Sequence, residues 1–128
     1  MTGTFQKVAG IGYRAGATPA SLAAALDAAG GAAGVEALAS IAGKAEGAPL
    51  RELAAQLGLP VIAISDDNLA AQVTLTQSDR IRRMHGTGSV AEAAALAACG
   101  PGARLAAPRA LSPDHMATAA IALSGETR

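Results

Sequence analysis

Lys7-Val8-Ala9-Gly10-Ile11-Gly12, followed by Tyr13-Arg14-Ala15-Gly16-Ala17 and then Thr18-Pro19-Ala20-Ser21-Leu22-Ala23-Ala24-Ala25-Leu26-Asp27-Ala28-Ala29, is the stretch whose reading sets the architecture. The first six residues form a short apolar run with β-branched members and glycine borders, which reads as a buried strand. Thr18 is a good helix cap and Pro19 is pre-set for the first helical position. Leu22, Ala25, Leu26 and Ala29 then come at one-face helical spacing, and Gly30-Gly31 ends the element. A strand, a loop and a helix in that order make the opening of a βαβ unit.

The same alternation continues outward. Val35–Ala42 reads as a second strand, and Gly43-Lys44-Ala45-Glu46-Gly47 as a polar loop. Pro49 opens a helix whose apolar face is Leu50, Leu53, Ala54 and Leu57, with Gly58 as its stop. Pro60–Ile64 is a short β-branched strand, and Ser65-Asp66-Asp67 caps a short helix that runs to Ala71. Residues 72–88 carry no sustained period, although Ile81 and Met84 could anchor a helical turn or a short strand. Ser89 and Glu92 have capping-box spacing ahead of a small-residue helix, Val90–Cys99, that stops at Gly100-Pro101. Arg104–Ala107 and Met116–Leu123 read as the last two strands. Their connection is too short for a crossover helix, so one of them should be antiparallel. The expectation is an α/β fold, a three-layer α/β/α sandwich with a mixed, mostly parallel sheet of about five strands. One domain spans 1–128.

Composition narrows the function. The chain has 128 residues, ten Lys plus Arg against ten Asp plus Glu, and no basic block. Zero net charge argues against a nucleic-acid binder, which needs a cationic field. One Phe, one Tyr and no Trp leave no base-stacking platform. The 51% hydrophobic content suffices for a core. A lone Cys99 cannot form an internal disulfide, which points to a reducing compartment. The absence of a long apolar span or a signal-peptide pattern points to the cytoplasm, away from membranes.

Ligands of open α/β sheets bind beyond the carboxyl ends of the strands, so candidate chemistry is sought there. Gly10-Ile11-Gly12-Tyr13-Arg14-Ala15-Gly16 resembles a phosphate loop, but its third glycine is one residue late for a dinucleotide fingerprint. The glycines could equally serve tight packing, or allow an anion to approach with Arg14 as its counter-charge. Gly86-Thr87-Gly88-Ser89 precedes a helix start, where free N–H groups could hold a carboxylate; Ser89 and Glu92 could equally cap one another. Lys44 and Glu46 read as a ligand cation beside an acid, or as a solvated surface pair. Arg80, Arg82 and Arg83 beside His85 read as a solvated face, or as a field that steers an acidic ligand. His85, Cys99 and His115 lack metal-ligand spacing, so no metal and no other cofactor is expected. The serine of Gly86-Thr87-Gly88-Ser89-Val90 is one place late for a nucleophile elbow, and no nucleophile, base and orienter assemble.

Several of these segments are similar to one family. Val8–Arg14, Ile41-Ala42-Gly43-Lys44-Ala45-Glu46 and Leu53–Val61 resemble the CobE/CbiG C-terminal domain family of cobalamin biosynthesis. Gly86-Thr87-Gly88-Ser89-Val90-Ala91-Glu92-Ala93-Ala94-Ala95-Leu96 looks like the family's most specific signature, with Ser78 at a position where a serine commonly precedes it. Ala117–Ala122 resembles its last strand, and the length resembles the stand-alone CobE form. Tyr13 stands where many relatives have Cys, and Ala45 where an acidic residue is frequent. The resemblance implies a three-layer α/β/α fold and a protein that binds a corrin-ring intermediate of the aerobic pathway as carrier or accessory factor, with other corrin-pathway enzymes as possible partners. The alternative it implies is a hydrolase or rearrangement enzyme of the cobalt-precorrin-5A hydrolase type, with Glu46 or Glu92 as acid/base and Lys44 as electrophilic partner. The residues expected at the ligand are Gly10, Gly12, Tyr13, Arg14, Lys44, Glu46, Ser78, Thr87, Gly88, Ser89 and Glu92.

Overall fold

The computed structural model describes residues 5–85 and 87–125, apart from the side chain of His85. Its elements in chain order are β1 (Lys7–Tyr13), α1 (Pro19–Ala29), β2 (Ala37–Ile41), α2 (Ala42–Ala45), α3 (Ala48–Leu57), β3 (Val61–Ile64), α4 (Asp66–Ala70), α5 (Asp79–His85), α6 (Val90–Cys99), β4 (Arg104–Leu105), β5 (Ala110–Leu111) and β6 (Ala117–Leu123). The sheet order is β3-β2-β1-β6-β4, with β5 also paired to β6. β1, β2 and β3 run parallel. β6 enters antiparallel to β1 along its whole length, from Lys7 opposite Leu123 to Tyr13 opposite Ala117. The short connections expected before the last strand give antiparallel pairing to β4 and β5 as well.

Alternation along the strands divides the interior into two layers. One face of the sheet sends Ala9, Ile11, Leu38, Ala119 and Ile121 against Leu22, Ala25 and Leu26 of α1 and Leu50, Leu53 and Ala54 of α3. The other sends Val8, Ala37, Ala39, Ile41 and Ala122 against Val90, Ala93, Ala94 and Leu96 of α6 and Leu69 of α4. Helices on both faces make the three-layer arrangement.

Local chemistry accounts for the element ends. The Thr18 hydroxyl accepts from Ser21 N while Ser21 Oγ accepts from Thr18 N, and Pro19 stands at the first helical position. Gly58 adopts the left-handed conformation, φ 70°, that closes α3. Ser65 Oγ accepts from Asn68 N at the start of α4.

Three segments differ from the sequence expectation. Ala42–Ala45 is a helical turn, where the sequence predicts a polar loop from Gly43; β2 ends at Ile41 because helical geometry takes over at Ala42. The irregular stretch 72–88 contains α5, anchored by the half-buried Ile81. Ala110–Leu111 forms β5, a two-residue strand defined by its pairing with β6.

Candidate functional site

The carboxyl ends of β1, β2 and β3, the amino end of antiparallel β6 and the amino end of α6 lie at one end of the molecule. Gly10 sets this geometry. A Cβ at Gly10 would overlap Ala91 O and crowd Ala95 N, so α6 rests directly on the β1 backbone. Gly12, one pleat further on, lies with its missing Cβ 2.9 Å from Thr118 Oγ1, 3.7 Å from Val90 Cβ and 3.8 Å from Ala91 N. The first turn of α6 thus stands over the end of β1.

The other nine expected residues divide into two groups. Tyr13, Arg14, Lys44 and Glu46 belong to the ends of β1 and β2. Tyr13 packs on the α1 and α3 layer, and its hydroxyl donates to Lys44 O at 2.6 Å. Lys44 Nζ sits 4.9 Å from the Tyr13 ring centroid, a cation–π contact. Gly47 leaves the space that the Tyr13 hydroxyl occupies. Burial raises the Tyr13 pKa above its ordinary value, so the phenol remains a donor. Arg14 is exposed and donates its backbone N–H to Met116 O at 2.9 Å; its guanidinium has no partner among the described residues. Glu46 does not meet Lys44. It lies 3.8 Å from Arg51 in a highly exposed pair, a type worth little to stability.

Ser78, Thr87, Gly88, Ser89 and Glu92 form the second group, around the start of α6; Gly86 lies outside the described residues. Ser78 N donates to Gly88 O at 3.0 Å, and a Cβ on Gly88 would overlap Thr76 O. The Ser78 hydroxyl accepts from Ile81 N at 3.3 Å and so caps α5. Thr87 is 2% exposed, and its hydroxyl has no hydrogen-bond partner among the described residues. Ser89 Oγ accepts from Glu92 N at 3.3 Å.

The reciprocal half of this capping box is absent, because the Glu92 carboxylate turns elsewhere. Glu92 is fully buried. Its Oε1 accepts from Leu75 N at 2.7 Å and Thr76 N at 2.8 Å. Its Oε2 accepts from the Thr76 hydroxyl at 2.6 Å and Arg109 N at 2.7 Å. Four donors surround one carboxylate and tie two loops to α6. Such charge-assisted bonds are the strong kind.

Sequence reasoning missed two polar features here. Asp114, in the turn between β5 and β6, accepts from Ser21 Oγ at 2.6 Å, Ser112 Oγ at 2.5 Å and Met116 N at 3.0 Å. The Ser112 hydroxyl bond and then the Ser21 one are the main reasons that its carboxyl is lowered to about 2. Ser40 is fully buried on β2, and its hydroxyl donates to Ile11 O at 2.6 Å. Ser21 is 93 residues from Asp114 and Ile11 is 29 from Ser40, so no local motif announces either contact. Cys99 is inert by placement. It is buried, its thiol faces Ala122 O at 3.5 Å, and burial pushes its pKa up to about 11. His115 sits in the β5–β6 turn with φ 62°, and no group of metal-type ligands forms among the described residues.

The sheet end therefore has a cation braced on an aromatic ring, an exposed guanidinium, and a helix amino terminus with a buried hydroxyl beside it that lacks a partner among the described residues. The first two belong to the ends of β1 and β2, with Tyr13 on the α1 side of the sheet. The third is on the α6 side. A ligand that used all of them would lie across the edge of the sheet, and the chemistry offered is binding of carboxylates or other anions.

The comparisons with known proteins bear on which family the chain belongs to. Residues 7–122 match the family model described as "Cobalamin synthesis G C-terminus". The solved structure of CobE, a protein from the cobalamin (vitamin B12) biosynthetic pathway, is similar at 35% identity and TM-score 0.80, over 96% of this chain and 93% of that one. The cobalamin biosynthesis protein chiG from Agrobacterium tumefaciens is similar at 39% identity and TM-score 0.71, over 94% of this chain and 99% of that one. A search of curated proteins gives no match. No described helix is long and apolar enough to cross a membrane. With the family model matched over almost the whole chain and two solved relatives sharing the fold, the protein belongs to the CobE/CbiG C-terminal family of cobalamin biosynthesis proteins.

Proposed function

We propose that this protein binds a corrin-ring intermediate during cobalamin synthesis in the cytoplasm, as a carrier or accessory factor. The observation that carries the reading is the cationic sheet end in a chain of this family. Arg14 has no charge partner among the described residues and Lys44 is held on the Tyr13 ring, at the same end of the sheet as the start of α6 but on its other face. Corrin precursors are flat apolar rings fringed with acetate and propionate carboxylates. Arg14 and Lys44 supply charge for those carboxylates, and the first turn of α6 supplies unsatisfied N–H groups.

The carrier reading is favoured over catalysis by Glu92. Its two oxygens already hold four donors, which leaves a scaffold for the loops and little capacity for proton transfer. Glu46, the other candidate acid, is exposed beside Arg51. Docking of other corrin-pathway enzymes, so that an unstable intermediate passes between active sites, belongs to the same proposal.

Titration with hydrogenobyrinic acid, monitored by its visible absorption, tests the reading. Saturable binding that weakens at least tenfold in the Arg14→Ala/Lys44→Ala double variant is expected. Unchanged affinity in that variant would sink the site. Single-turnover incubation with the preceding intermediate separates carrier from enzyme. Release of unchanged ligand supports the carrier, and a product of altered mass replaces it with a hydrolase or rearrangement enzyme.

A further inference from the structure

We propose a second binding site, on the outer side of α6, for a small amphiphilic anion: an apolar body with one carboxylate or sulfonate at its end. The proposal does not rest on the corrin reading, and none of the eleven residues expected at the corrin ligand lines this site.

A groove of about 570 Å³ runs between the segment 68–75 and the segment 96–105. Its volume falls within the range of roughly 300–1,000 Å³ usual for small-molecule pockets. The walls are Val73 and Leu75 on one side and Leu96, Ala97 and Leu105 on the other, with Asn68 and Arg104 among the polar groups. Val73 is 88% exposed and Leu75 59% exposed. Neither residue contributes its apolar surface to the two interior layers, so folding does not account for them. Exposed apolar side chains gathered on one concavity are a mark of a binding site.

The walls are also fixed in place. Leu75 N donates to the buried Glu92 carboxylate at 2.7 Å, so the exposed leucine is held on a rigid backbone. Leu105 is set by its pairing with Ala122 of β6, and Arg104 by its pairing with Leu123. The turn between α6 and β4 uses positive φ at Gly100 (99°) and Gly102 (82°), which brings the chain round to form the end of the groove. A site organised in advance loses less entropy on binding.

Charge selects the occupant. Arg104 is exposed, and its guanidinium has no partner among the described residues. Among the described residues it is the single charged side chain on the groove. The Gln72 amide donates to Asn68 O and Asn68 Oδ1, which orients the Asn68 side chain and leaves the Asn68 NH₂ for a ligand. One cation, one amide donor and an otherwise apolar lining match a molecule with one anionic end.

Nuclear magnetic resonance titration of the full chain with decanoate tests the proposal, alongside decanol as the uncharged control and 8-anilinonaphthalene-1-sulfonate as an independent anion. Saturable shifts confined to residues 68–75 and 96–105 are expected, with decanoate bound more tightly than decanol. Arg104→Gln, an exposed change that leaves the fold intact, should weaken both anions about tenfold and leave decanol unchanged. Leu75→Asn should weaken all three. Shifts that spread over the whole surface, a decanoate affinity no greater than that of decanol, or an Arg104→Gln variant within twofold of the parent would each overturn the site.

Discussion

On the α1 and α3 face of the sheet, Ile11, Leu38 and Ile121 meet Leu22, Leu26, Leu50 and Leu53. On the α6 face the same strands present Gly10, Ala37, Ala39 and Ala122, and α6 answers with Ala93, Ala94 and Ala95. The first layer is held by interlocking side chains. The second packs Val8, Ile41, Leu69, Val90 and Leu96 as well, and adds a near contact of backbones that the missing Cβ at Gly10 permits. The two helix starts differ in the same sense. At α1 the Thr18 and Ser21 pair closes on itself. At α6 the residue in the matching place, Glu92, leaves the cap and gathers Leu75, Thr76 and Arg109. The α1 cap is completed locally and reaches out once, from Ser21 to Asp114, while α6 organises several distant loop donors around one carboxylate, and those loops border both proposed sites.

Glu92→Ala is the severest way to break this contrast. It leaves the part-buried N–H donors at 75, 76 and 109 without their acceptor and empties a fully buried side-chain position, and a loss of about 4 kcal/mol in urea unfolding is expected. A loss under about 1 kcal/mol would show that the loops do not depend on the carboxylate. Gly10→Ala should cost about 3 kcal/mol, because the added methyl meets the α6 main chain, which cannot rotate away. If that variant is as stable as the parent, the close backbone approach is wrong. Thr18→Ala and Ser89→Ala sharpen the comparison of the caps. Each removes a side-chain acceptor and should lower stability by about 1 kcal/mol. Only Ser89→Ala should also raise amide exchange at Leu75 and Thr76, since it loosens the turn that positions Glu92.

The smallest effect expected is a pH dependence. The Asp114 carboxyl is lowered to about 2 by the Ser112 and Ser21 hydroxyls, against about 3.9 in an unfolded chain. Its folded pKa is depressed, so its stabilisation is complete above the unfolded value and disappears as pH falls through the folded one. Unfolding curves between about pH 5 and 2 should show a slope that flattens in Asp114→Asn. An unaltered slope would mean that the turn is held without the charge.

Much of the fold is legible in the sequence because it depends on local chemistry. Thr18-Pro19, Gly58, Ser65 and the Val90–Cys99 run each carry their own start or stop signal, and the structure places elements at all of them. β5 is not legible. Two residues have no period, and only pairing with β6 makes Ala110–Leu111 a strand. Ala42–Ala45 reads as the end of a strand and the start of a loop, since alanine suits several conformations and no side-chain cap at Ile41 marks the start of the helical turn. At the sheet end, the placement of Tyr13 and Lys44 after β1 and β2 can be read from the sequence, but their contact with each other cannot. The diversion of Glu92 is hidden for another reason. Its spacing from Ser89 satisfies the capping pattern, and its true partners are mostly main-chain N–H groups, which every residue but proline offers.

The pairing of β1 with β6 has a consequence for the chain as it is being made. Residues 7–13 lie at the centre of the sheet, yet one of their two neighbours is residues 117–123. A growing chain can assemble β1, β2 and β3 with α1 and α3 early, but the open edge of β1 must wait for a strand at the far end of the sequence. During that interval an unpaired strand edge is exposed, which invites association with other chains. Completion by contacts so distant in sequence is also slow. Ala9, Gly10 and Gly12 lessen the hazard, because these small residues among Val8, Ile11 and Tyr13 reduce the apolar surface that a stray strand could hold.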